Sequence, residues 1–170
     1  DVRGRIGDFG ALAEQIELEQ RAIDAASRRD PEGLREALHD LGFVKNPSKF
    51  DAERLMEHVM IVGGWYMEDR EVTIDSKLVM NAISAVTDPR SGLYDLWRRE
   101  NIPANELMGR RMETGVLAVL GQLRATRNWY RIGREWWFGE EPATELGREE
   151  WAYFEGRGEK RQRKFVTRGT

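Results

Sequence analysis

From Gly10 onward, apolar residues recur every three or four positions, in segments opened by residues that start helices and closed by residues that stop them. Leu12, Ile16, Ile23 and Ala26 keep this period with charged residues between them. Asp30-Pro31 then restarts the chain, because Asp caps a helix and Pro suits its first position. This predicts a helix from Pro31 to Leu41, with Leu34, Ala37, Leu38 and Leu41 inward and a left-handed stop at Gly42. Repeated punctuation of this kind restricts the chain to a mainly helical fold.

The same signals continue. After a turn at Asn46-Pro47, Asp51 opens a helix whose face is Leu55, Met56, Val59, Met60 and Val62. Gly63-Gly64 ends it, since two glycines in a helix interior cost roughly 2 kcal/mol relative to alanine. Asp75 begins a helix to about Val86 that Asp88-Pro89 stops, and Ser91 caps a short one carrying Leu93, Leu96 and Trp97. Pro103 is expected to open the longest and most apolar helix, to about Ala125, whose apolar residues cover more than one face and predict a central position. Asn128 to Phe138 reads as an aromatic helix, and a last short one surrounds Trp151 to Phe154. Strand is expected in two places, ending near Asp8 and within "WYMEDREVTI". The order is thus one strand followed by seven or eight helices.

Charge divides the chain into unequal parts. The 27 basic and 30 acidic residues nearly cancel, so no global field favours nucleic acid. From Gly156 to Thr170, however, six basic residues stand against Glu159 alone, and the preceding part carries about −8. Residues 1–155 are therefore read as the folded body and 156–170 as a basic tail. The tail is a solvated, disordered terminus or, beside an aromatic helix, a means of holding an anionic membrane surface. The absence of cysteine excludes disulfides and thiolate chemistry, and fits a cytoplasmic protein. No apolar run approaches the length of a membrane span. Five of the six tryptophans lie at or beyond Trp97; they are core residues or an edge facing a lipid or protein partner.

Few residues carry chemistry. Asp8-Phe9-Gly10 in "RGRIGDFGALAEQ" has the form of a metal-binding corner, in which a carboxylate at a strand end holds Mg²⁺, the Phe packs inward and the Gly turns the chain. As a bare tripeptide it is equally a loop. His58 has Arg54, Leu55, Ile61 and Val62 at helical-turn spacing, so a metal-ligand reading fails, and it and His39 read as partly buried or surface histidines. Arg110 and Glu113, three apart, pair on one face, most simply a solvated one.

Three segments in order, "GRIGDFGAL", "RRDPEGLREALHDLGFV" and "DPRSGLYDLWRRENIPANELMGRRMETGVLAVLGQLRAT", make residues 3 to 137 resemble the C-terminal part of the UbiB/AarF family of atypical protein-kinase-like proteins. The resemblance implies the helical C-lobe remainder of a protein-kinase-like fold, with at most a short strand at its N-terminal edge. It implies that Asp8 is the Mg²⁺ ligand beside ATP, with Phe9 and Gly10 as packing and turn residues. The family's lysine–glutamate pair, alanine-rich nucleotide loop, N-terminal signature and catalytic loop would all lie before Asp1. No catalytic residue is therefore expected in this chain, which alone would be inactive. Gly7 departs from the apolar residue usual before the Asp. The family link is to isoprenoid-quinone or lipid metabolism, which would place the full-length protein in the cytoplasm, peripheral to a membrane. The rival reading is an all-helical protein- or membrane-interaction module in which Asp8-Phe9-Gly10 is a turn.

Overall fold

Four residues at the predicted helix starts cap their helices through the same hydrogen bond, a side-chain oxygen accepting the backbone N–H three residues on. Asp30 accepts from Gly33 at 3.0 Å, Asp51 from Arg54 at 2.9 Å, Asp75 from Leu78 at 2.9 Å and Asn128 from Arg131 at 3.0 Å. Each bond satisfies one of the donors that a helix start leaves without a partner. Ser91 accepts from the N–H groups of Leu93 and Tyr94 in the same way.

The computed structural model describes residues 9–104 and 106–156. Among them are eight helices: α1 (Phe9–Ser27), α2 (Pro31–Asp40), α3 (Ala52–Gly63), α4 (Ser76–Thr87), α5 (Tyr94–Arg99), α6 (Glu106–Leu123), α7 (Trp129–Trp137) and α8 (Glu145–Gly156). Two short strands, β1 (Val72–Thr73) and β2 (Thr126–Arg127), pair antiparallel with Val72 opposite Arg127 and Thr73 opposite Thr126. The fold is mainly α with this one small sheet. The strand expected before Asp8 and the tail from Arg157 lie outside the described residues.

Strand β1 falls within "WYMEDREVTI", as expected, whereas β2 was not anticipated. Helix α6 stops at Leu123 because Arg124 turns left-handed, with φ 50°. The Ala125 N–H then returns to the Leu120 carbonyl, and the Ala125 carbonyl accepts from Ile74 to begin the pairing. A two-residue strand has no period to read, and here it follows the helix without a proline or glycine to mark the change.

Three groups of buried side chains hold the helices. Ala25 and Ala26 of α1 meet Leu34 of α2, Met56 of α3 and Met67. Val44, Phe50 and Leu55 enclose Leu96 of α5. Ile74, Ala82 of α4 and Leu117 of α6 form the third.

Helix α6 differs from its expectation twice. It begins after Pro103 rather than at it, and at 18 residues is shorter than the 19-residue α1. Nor is it central: Leu117 and Gly121 face α4, but Met108, Met112, Val116, Val119 and Leu123 are 55–71% exposed. Apolar content predicts a face that prefers cover, not which element covers it. No helix among the described residues is long and apolar enough to cross a membrane.

Candidate functional site

Helices α1, α2, α3, α6 and α7 leave between them a cavity of about 520 Å³, within the range of small-molecule sites. Ile23, Leu34, Leu38, Val59 and Ile132 supply its aliphatic wall. Phe43, Trp65, Tyr66, Trp129 and Trp137 supply its aromatic one. Trp65 stands edge-on to Tyr66 at 4.8 Å and to Trp129 at 5.9 Å between ring centres, the arrangement aromatic quadrupoles favour. The Trp129 indole N–H donates to the Val72 carbonyl at 2.9 Å, so the small sheet fixes one wall of the cavity.

Arg134 locks α7, which carries four lining residues, to α1. Its guanidinium reaches Asp24 at 3.0 Å and Glu140 at 2.7 Å, and lies 3.8 Å above the Phe138 ring centre. The Gln20 side chain adds a bond to the Trp137 carbonyl. Trp129 and Trp137 therefore turn inward and Trp136, 58% exposed, is the one tryptophan of this helix left outward. Two of the three tryptophans of the aromatic helix thus form cavity wall.

The polar part of the cavity is unusual for its burial. His58 Nε2 on α3 lies 3.6 Å from Glu100 Oε1 beyond α5, just past hydrogen-bond range, with side chains only 8% and 10% exposed. Burial, and then the nearby positive charge of Arg110, lower the His58 imidazole to about 4. Burial raises the Glu100 carboxyl to about 7, against the opposing pull of Arg110. Desolvation thus outweighs mutual attraction, and between those values both groups are neutral. His58 Nδ1 and the Trp65 indole N–H have no hydrogen-bond partner among the described residues. Arg110 is engaged elsewhere, 3.7 Å from Glu113 and 5.1 Å from the Phe43 ring centre. Glu19 of α1 and the partly buried Tyr66, whose phenol desolvation pushes up, complete the titratable lining.

The residues singled out by sequence fall elsewhere. Asp8 lies outside the described residues. Phe9 and Gly10 are the first residues of α1, so the backbone is helical where a turn was expected. His39 places Nδ1 2.7 Å from the Val44 carbonyl, a local structural bond. Arg110 and Glu113 pair as expected, while His58 is more buried than expected. Glu100 was missed, because a search at helical-turn spacing around His58 cannot find a residue on another element. No group of three or more His, Cys, Asp or Glu side chains among the described residues is placed to hold a metal ion.

Two of the segments that carry the UbiB/AarF resemblance meet beside this cavity. Gly42, with φ 85°, stands next to last in "ALHDLGF", and Asn101 opens "NIPANELMGRR". The Asn101 side chain donates to the Gly42 carbonyl at 3.0 Å and its backbone N–H to the Phe43 carbonyl at 2.8 Å. Arg110, from the same later segment, lies over Phe43. Comparison of the chain with protein-family models, curated proteins and solved structures finds no match.

Proposed function

We propose that this chain is the helical part following the metal-binding Asp of a UbiB-like atypical kinase or ATPase. In the full-length protein Asp8 would hold Mg²⁺ against the phosphates of ATP, and α1 to α3 would brace that corner. Phosphoryl transfer needs a base-positioning Asp, metal ligands and a phosphate-contacting Lys in one constellation, and in the UbiB-like reading this chain supplies only one metal-binding carboxylate. The 170 residues alone are accordingly inactive. The supporting observation is the clamp of Asn101 on Gly42 and Phe43, which joins two segments of the resemblance into one structural unit. A link to isoprenoid-quinone or lipid metabolism at a membrane surface follows from the same reading.

The test is a Mg²⁺-ATP titration of the longest natural form of the protein beside this chain. Binding that needs Mg²⁺, is lost in Asp8→Asn and is absent from the 170-residue chain is expected. Nucleotide binding indifferent to Asp8→Asn, or ATP hydrolysis by the isolated chain, overturns the reading. The rival, an interaction module, draws on the uncovered apolar stripe of α6. It would be favoured if the natural form bound no nucleotide.

A further inference from the structure

The described lining of the cavity beside His58 and Glu100 has a chemistry that the metal-binding reading of Asp8 does not use. Three carboxyl groups, on Glu19, Glu100 and Glu113, face one guanidinium, on Arg110. An anionic ligand would meet like charge, and a wholly apolar ligand would leave a buried carboxyl against hydrocarbon. The five aromatic rings supply the negative faces that attract cations. Most informative is Glu100 itself: its near neighbour is a neutral imidazole, and the one cation of the lining is shared between Glu113 and Phe43.

We propose that this cavity binds an amphipathic organic cation, a protonated amine carried on an apolar body, with the ammonium group at Glu100 and the body among Trp65, Tyr66, Trp129 and Trp137. The ammonium provides the buried positive charge that Glu100 lacks, and the apolar wall takes the rest of the molecule. Neutral His58 then acts as a spacer that admits the cation without competing with it. Around pH 6 the Glu100 carboxyl is protonated in the empty cavity, because burial holds it up to about 7. Cation entry therefore expels that proton. The groups able to modify this exchange are His58 on α3, Arg110 and Glu113 on α6, Glu19 on α1, and Tyr66. Only Arg110 among them opposes a cation.

The test compares 4-phenylbutylamine with 4-phenylbutan-1-ol, which share an apolar body and differ in charge, by calorimetry and tryptophan fluorescence. The amine is expected to bind one-to-one, on the order of tenfold more tightly than the alcohol, as suits a desolvated cation among aromatic rings. At pH 6, calorimetry in two buffers of different ionisation heat should show proton release on amine binding to the unaltered chain, a readout that needs no variant. Glu100→Gln, with an unchanged far-UV spectrum, should abolish both the preference and the proton release. Equal affinity for the two compounds, a preference that survives Glu100→Gln, or no binding of either compound overturns the proposal. None of these results bears on Mg²⁺-ATP at Asp8, so the two readings fail separately.

Discussion

His58 and Glu100 face each other at 3.6 Å, each at most a tenth exposed, and burial shifts their titrations toward neutrality from opposite sides. An unfolded chain titrates Glu100 near 4.5 and the folded protein near 7, so the folded state keeps a proton that the unfolded state releases. That contribution is full below 4.5 and is lost as pH rises to about 7. An unfolded chain titrates His58 near 6.5 and the folded protein near 4. Its contribution is full above 6.5 and is lost as pH falls to about 4. Between 4.5 and 6.5 the two slopes oppose each other, each at most about 1.4 kcal/mol per pH unit.

The unaltered protein should therefore show nearly flat stability across that window in urea titrations. Glu100→Gln removes the falling slope, so stability should rise with pH from about 4 to 6.5. His58→Gln should do the reverse, with stability falling from 4.5 to about 7. Two variants with the same pH profile as the parent would show that neither group is desolvated as described.

Gly121 on α6 faces Val79 of α4 with no room for a side chain between them. A Cβ there would stand 2.7 Å from a methyl of Val79 and 3.7 Å from the Asp75 carbonyl oxygen. Alanine in a helix interior ordinarily stabilises by up to about 1 kcal/mol over glycine. Overpacking costs about 1–3 kcal/mol, and here the contact is too close for it to be the smaller effect. Gly121→Ala should thus lower stability by about 1 kcal/mol, and Val79→Ala in the same chain should recover part of the loss. Additive losses in that double-mutant cycle would place the clash elsewhere.

The caps explain why so much of the helix order was readable. Asp30, Asp51, Asp75, Ser91 and Asn128 each act through a bond to a backbone N–H two or three residues away, so the signal and the structure are local. The Glu100–His58 pair was not readable for the opposite reason: its members come together only when α3 packs near the end of α5. Helix α6 lies between these cases. Its apolar residues correctly marked a helix, but Leu117 is covered and Met112 is not, a difference decided by where α4 lies.

Arg134 joins α7 to α1 through Asp24 while stacked on Phe138, with its own side chain 18% exposed. Lysine offers neither the planar fork nor the stacking surface, so Arg134→Lys should behave more like Arg134→Ala than like the parent. Hydrogen bonds to charged groups contribute about 1.5–3 kcal/mol, and the partly exposed acids place this case near 2 kcal/mol. Because Trp129 and Trp137 ride on the same helix, tryptophan emission should also shift to longer wavelength in both variants. A lysine variant as stable as the parent would reduce Arg134 to a point charge.

Gly42 and Asn101 test the clamp from its two sides. Gly42 has φ 85°, and a Cβ there would approach nothing nearer than Pro103 at 3.5 Å, an ordinary contact. The cost of Gly42→Ala is therefore conformational, about 1–2 kcal/mol for an L residue held left-handed. Gly42→Asn should cost less, since asparagine tolerates that region better. Asn101→Ala removes one side-chain hydrogen bond to the Gly42 carbonyl, about 1 kcal/mol, while the backbone bond to Phe43 persists. Since both substitutions act on the same loop, their effects in urea titrations should combine to less than their sum. Full additivity would mean that Asn101 holds its own segment and not the loop at Gly42.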